Sequence, residues 1–183
     1  MFRNEDCNDF LRLKEEIVYL EQCKVCIYDV WYPVPRKMAF YGEEGLKYTF
    51  ANNTFTAKKP VPIVKKYEDY ANSVIQMEKE INFCVVNEYR DGLDKIGLHK
   101  DNERDLNSLY PIVSVSFGAT RDIIFKRKGF ENVSIPLENG SVLIMYPPTN
   151  DFWYHNIPIR KRFKEPRISL TFRRIENKKE SFI

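Results

Sequence analysis

Histidine and cysteine are scarce in this chain of 183 residues: there are two of the first and four of the second. A metal site built on imidazoles would therefore have to recruit both His99 and His155. The cysteines, Cys7, Cys23, Cys26 and Cys84, do not form a framework. Cys23 and Cys26 have the spacing of half a zinc knuckle or a redox pair, but no second pair or nearby histidine completes it. Reduced, unpaired thiols of an intracellular protein are the simpler reading. No stretch approaches eighteen uncharged apolar residues, which argues against a membrane-spanning helix. The N-terminus, from Met1 to Asp6, is charged and lacks the apolar run of a signal peptide. No internal repeat and no low-complexity segment is present. Net charge is also small, at +3.

What is present is ordinary in amount and informative in position. The hydrophobic fraction of 43% and the length suit one domain with a real core. The positive charge is concentrated late. From Ile157 onward there are nine Lys or Arg against three Glu, densest at Arg160, Lys161, Arg162 and Lys164. Such a patch suits a phosphate backbone, and equally a solubilising surface.

Apolar spacing predicts an amphipathic helix over Phe10–Gln22 and a second over Ile63–Glu80. Lys24–Trp31 reads as a strand, and two prolines keep 31–37 extended or turning. A turn over Tyr41–Gly45 leads to a short strand, Lys47–Phe50. Residues 52–62 read as a loop by composition. Ile81–Tyr89 is a predicted central strand. Short strands follow at Ile96–His99, Ile112–Phe117, Asp122–Lys126, Val133–Pro136, Ser141–Met145, Trp153–His155 and Arg167–Arg173. Many short strands after two helices predict an α+β, mainly β fold: a double-sheet jelly roll with helices against one sheet.

The chemistry gathers between Asn87 and Arg173. His99 and Asp101 are two apart, so an extended backbone projects both to one side while Lys100 points away. His155 ends another predicted strand. Two imidazoles and a carboxylate occupy one face of an octahedral iron(II) and leave the other open. Zinc accepts the same ligands. Arg167 and Arg173 share a face of their strand and alternate with apolar Ile168, Leu170 and Phe172. An arginine facing inward on a core strand needs an anion, and Asp101 and a bound dicarboxylate are the candidates. A phosphate-binding surface is the alternative for this pair.

Five segments carry a family resemblance: Trp31–Phe50, Asn87–Arg104, Pro111–Arg121, Gly140–Pro148 and Thr149–Arg173. In order and spacing they resemble the AlkB family of iron(II)- and 2-oxoglutarate-dependent dioxygenases, in the branch of the human DNA-repair homologues 2 and 3. The resemblance implies a double-stranded β-helix core over 81–175. Residues 1–80 would supply support helices and a β-hairpin nucleotide-recognition lid. It implies His99, Asp101 and His155 as iron ligands and Arg167 as partner of the distal carboxylate of 2-oxoglutarate. Asn87, Tyr89 and Arg173 would be further co-substrate contacts. Tyr48 and Phe50 would line a pocket for a flipped base, with His99 opposite. Tyr28 would be an intercalating wedge, Arg36 would steady the opposite strand, and Arg160, Lys161 and Arg162 would grip phosphates. Asn102 and Glu103 complete the substrate contacts. The implied reaction is oxidative demethylation of 1-methyladenine and 3-methylcytosine in DNA. It uses O2 and 2-oxoglutarate and yields formaldehyde, succinate and carbon dioxide.

Three features depart from the pattern. Asn102 replaces an aspartate, the region after Lys126–Gly129 is much shorter, and no N-terminal extension is present. They lead to the expectation of a pared-down, monomeric enzyme that repairs single strands at least as well as duplex. The same chemistry on RNA, a non-catalytic nucleic-acid binder and a protein hydroxylase are the competing readings.

Overall fold

The structure is a computed structural model and describes residues 6–27, 29–50 and 53–176. In chain order the elements are α1 (Asp6–Glu16), β1 (Lys24–Ile27), β2 (Val30–Pro33), β3 (Lys37–Gly42), β4 (Lys47–Phe50), β5 (Asn53–Thr56) and α2 (Pro62–Ile75). Then come β6 (Phe83–Tyr89), β7 (Ile96–His99), β8 (Ile112–Gly118), β9 (Arg121–Lys126), β10 (Val133–Leu137) and β11 (Val142–Met145). The last are α3 (Thr149–Phe152), β12 (Tyr154–Ile157) and β13 (Arg167–Arg173). A five-stranded sheet has the order β11-β8-β13-β6-β3 and a four-stranded sheet the order β10-β9-β12-β7. Two hairpins, β1-β2 and β4-β5, complete the strands. The fold is mixed α+β and mostly strand. Among the described residues no strand pairing joins the two larger sheets into a closed barrel.

Strand alternation explains the layers. Ile168, Leu170 and Phe172 are fully buried beneath the helices, with Val113, Val115 and Phe117 from β8. Leu13 of α1 and Ile63, Val64, Tyr67 and Ala71 of α2 cover them. Each such side chain contributes roughly 1.5–3 kcal/mol of burial. Asp9 ties the two helices together: its carboxylate accepts from Tyr67 Oη at 2.7 Å and from Lys66 Nζ at 2.8 Å. A second apolar cluster, including Tyr89, Ile112, Ile123, Phe125 and Ile157, lies between the sheets.

Several boundaries differ from the sequence reading. The first helix ends at Glu16, not Gln22, because the next backbone groups are diverted to β3. Val18 N–H donates to Tyr41 Oη at 3.0 Å, and Leu20 N–H to the Met38 carbonyl at 2.9 Å. The second helix starts on Pro62, a residue suited to the first turn, and ends at Ile75, capped by Gln76 with φ +50°. The Asn72 side chain then accepts from Ile81 N–H at 2.8 Å and leads the chain into β6. Part of the expected loop 52–62 is strand β5, where Phe55 packs on Phe40 at 4.5 Å between centroids.

Candidate metal centre and co-substrate pocket

β7 and β12 are antiparallel neighbours, with His155 directly opposite His99. The two rings lie 4.3 Å apart between centroids. Asp101 follows just past the end of β7, with Oδ1 3.7 Å from His99 Nε2 and Oδ2 3.8 Å from His155 Nε2. All three donor atoms lie within 4.8 Å of one another, the one such grouping found among the described residues. His99 Nδ1 sits 2.9 Å from the Gly97 carbonyl, a contact that is favourable when Nδ1 carries the proton. That tautomer leaves the Nε2 lone pair toward the cluster.

The electrostatics favour a cation. Burial, and then the neighbouring His99, push the His155 pKa down to about 4, so its ring is neutral near pH 7. Burial would by itself raise the Asp101 carboxyl. The Arg173 guanidinium and the two imidazoles outweigh it and hold the pKa below the usual carboxylate range. A nitrogen–oxygen–nitrogen set confined to one side suits iron(II) with open positions.

Behind the triad is a cavity of about 70 Å³ between the two sheets, with a polar floor from the inner face of the larger one. β13 contributes Arg167, Ser169, Thr171 and Arg173, and β6 contributes Asn87 and Tyr89. Ser169 and Thr171 lie on the same face of β13 as Arg167 and Arg173. Both of its faces are enclosed, and the polar one forms this floor. Of the two anions anticipated for the inward arginines, Asp101 takes Arg173, at 2.6 Å. Arg167 is only 2% exposed and has no carboxylate among its described partners. Its Nη2 donates to Ser116 Oγ at 2.9 Å, while Nε is buried without an acceptor. Leaving a buried guanidinium unpaired is costly, and a carboxylate entering this cavity would relieve it. The pocket thus fits a small dicarboxylate beside the metal.

Two guanidinium groups lie over the Tyr89 ring, that of Arg167 at 5.3 Å and that of Arg121 at 5.6 Å from its centroid. Arg121, which sequence reasoning had not singled out, donates to the carbonyls of Asp91, Asp94 and Pro158. Asn150 was also missed. Its carboxamide holds both backbone polar groups of Asp101. It belongs to the resembling segment Thr149–Arg173, five residues before His155, but had been given no role there.

A second, larger cavity of about 550 Å³ meets the first at Ile96 and His99. Val34, Arg36, Leu98, Asn102 and Glu103 are among its lining. Three of the expected substrate contacts have partners within the protein. Tyr48 does not offer a ring face to this space. It is 1% exposed and packs on Phe83 at 4.7 Å. Its hydroxyl donates to Glu103 Oε1 at 2.7 Å and accepts from Arg173 Nη1 at 2.8 Å. Arg36 is buried instead of reaching out to a strand, because Nε donates to Asn87 Oδ1 at 2.7 Å. Arg160 is partly engaged, with Nη2 2.7 Å from Asp122 Oδ2, whereas Lys161 and Arg162 are exposed. Phe50 ends β4, but its side chain lies outside the described residues, as does the whole of Tyr28. All four residues of β2 are exposed.

Known proteins are similar to this chain in sequence and fold. The 2OG-Fe(II) oxygenase superfamily matches residues 28–173. The chain is 45% identical over 177 residues to DNA oxidative demethylase ALKBH2 of Mus musculus, covering 91% of this chain and 73% of that protein. It is 35% identical over 188 residues to alpha-ketoglutarate-dependent dioxygenase alkB homolog 3 of the same species, covering 91% and 64%. The solved structure of OsALKBH1 has a TM-score of 0.61 at 19% identity, covering 95% of this chain and 92% of that one. That last likeness concerns the fold alone. With the triad and the extent of these matches together, the chain belongs to the AlkB family of iron(II)- and 2-oxoglutarate-dependent dioxygenases, in the branch of homologues 2 and 3.

Proposed function

We propose that this protein demethylates N-alkylated bases, 1-methyladenine and 3-methylcytosine, in DNA by direct reversal. The observation that carries the reading is the large cavity opening on His99 and containing Glu103. One oxygen of that carboxylate is held by Tyr48, and the other is buried without a hydrogen-bond partner. A base alkylated on its pairing edge is cationic and suits such a carboxylate, while a neutral base does not. The mouse relative, a DNA oxidative demethylase, points the same way.

Each side chain has a defined task in this reading. His99, Asp101 and His155 hold iron(II), and Arg167 holds the far carboxylate of 2-oxoglutarate through its planar fork. Asn87 keeps its amide hydrogens for the co-substrate, because its oxygen is occupied by Arg36. Tyr89 walls the pocket, and Arg173 fixes Asp101. When bound, the iron with 2-oxoglutarate and O2 supplies the oxidation of the N-methyl group, with formaldehyde, succinate and carbon dioxide as products. Asn102, Lys161 and Arg162 contact the strand that carries the lesion, and Tyr28 and Phe50 complete the base site.

The two sheets form a double-stranded β-helix core, the β1-β2 hairpin is the lid, and residues 1–183 act as one monomeric catalytic domain inside the cell. Only six residues, 127–132, separate β9 from β10. So short a connection offers little grip on a complementary strand. The test is a panel of methylated single-stranded DNA, duplex DNA and RNA, assayed with iron(II), 2-oxoglutarate and ascorbate. Repair of single-stranded DNA at least equal to duplex is expected. Repair confined to RNA would refute the DNA assignment, and a strong duplex preference would refute the single-strand expectation.

A further inference from the structure

We propose that Asn150 is a positioning residue for the iron site, holding the Asp101 backbone in place before the ion arrives. The ladder between β7 and β12 ends at His99, so Asp101 lies past the last strand pairing. Asn150 Oδ1 accepts from Asp101 N–H at 3.0 Å, and Asn150 Nδ2 donates to the Asp101 carbonyl at 2.5 Å. One carboxamide thereby supplies both the donor and the acceptor that another strand would supply. It extends the pairing beyond the ladder, at the residue where a ligand is needed.

The placement is specific. Asn150 lies on α3, and the same stretch of chain enters β12 to deliver His155. The segment with one histidine ligand therefore grips the segment that carries the other two ligands. A second contact from α3 reinforces the grip, as Lys100 Nζ donates to the Asp151 carbonyl. Lys100 Nζ also lies 4.9 Å from the Tyr154 ring centroid, which directs that side chain away from the triad. Arg173 fixes the charged end of Asp101, at 2.6 Å, and leaves its backbone unconstrained. With both ends held, the carboxylate has one orientation available, and little ordering remains for the ion to impose.

The test is Mn(II) titration of the metal-free 183-residue chain, with amide hydrogen exchange and thermal melting on the same samples. Asn150→Ala removes both bonds. Asn150→Asp keeps the acceptor but sets an oxygen against the Asp101 carbonyl. Both variants are expected to bind Mn(II) about 10–100-fold more weakly, the range typical when a residue orienting a metal ligand is lost. Exchange in the metal-free state should quicken at Lys100 and Asp101 while β6 and β13 remain protected. Mn(II) affinity within twofold of wild type in both variants would overturn the proposal. Weakened affinity with faster exchange throughout β6 and β13 would also overturn it, since Asn150 would then serve only the fold. If Asn150→Ala fails to fold, Asn150→Asp decides by the same two readings.

Discussion

Replacing Arg167 should separate stability from function in opposite directions. The side chain is 2% exposed, and its described polar partners are the hydroxyls of Ser116 and Tyr89, not a carboxylate. Burial accordingly pulls its pKa below the usual arginine value, with Tyr89 opposing and Arg121 adding to the fall. Without co-substrate the protein holds a buried cation that lacks a counter-ion. An apolar residue of similar volume at such a site is often neutral or stabilising by about 1–4 kcal/mol. In a domain of this size each 1 kcal/mol moves the melting temperature by about 2–4 °C. Arg167→Met should therefore melt at or above the wild-type temperature when 2-oxoglutarate is absent. Arg167→Lys keeps the charge and loses the fork, at a cost of roughly one charge-assisted hydrogen bond, about 1.5–3 kcal/mol. At about 1.4 kcal/mol per tenfold, half-saturation by 2-oxoglutarate should rise roughly 10–150-fold. Differential scanning fluorimetry with Mn(II), with and without 2-oxoglutarate, together with succinate formation, reads both effects. A ligand at a hundred times its Kd raises wild-type stability by about 2.7 kcal/mol, and Arg167→Met should lose that gain. A methionine variant that melts early yet keeps the wild-type half-saturation would refute both the unpaired cation and its role.

Three further outcomes follow from other parts of the molecule. Tyr48→Phe removes a hydroxyl placed between Arg173 and Glu103, so urea unfolding should show a loss of about 1–3 kcal/mol, with weaker binding of methylated oligonucleotide. Gly92→Ala would place a Cβ 1.8 Å from the Arg160 carbonyl oxygen, which is backbone, so its melting temperature should fall by several degrees and the 158–163 loop should lose exchange protection. At Asp9, burial raises the carboxyl pKa, but Lys66 and Tyr67 outweigh it and leave the folded value below the unfolded one. Its stabilisation is thus fully present above about pH 4 to 5 and fades as pH falls through the folded value. Wild type and Asp9→Asn should differ in urea midpoint at pH 7 and converge in acid; a constant gap would contradict this linkage.

The sequence revealed whatever repeats at a fixed period or belongs to a motif. β7 and β13 have the predicted bounds, because alternation and flanking turns define them. The ligand triad was visible because an i, i+2 pair and a second histidine constrain one another. What stayed hidden depended on contacts distant in sequence. The end of α1 is set by Tyr41 and Met38, more than twenty residues away from Val18 or close to that from Leu20. The four-residue α3 is too short for any period to register. Arg36 illustrates the hazard of motif placement: the position carried over, while the direction of its side chain was decided by Asn87.

Burial rather than polarity is the quantity that alternation failed to convey. Ser169 and Thr171 look like a solvent face, yet Ser169 is 4% exposed and both line the cavity floor. A sheet with helices on one side and a second sheet on the other has no solvent face over its centre. Polar residues there must find partners inside, and Ser116 with Arg167 and Tyr48 with Arg173 show how they do so. Fully apolar residues at these positions would close the space and give a more stable sandwich with nothing to hold. The unsatisfied Nε of Arg167 and the close grouping of the triad are therefore properties of one design: a core left polar on one layer so that an ion and a dicarboxylate can complete it.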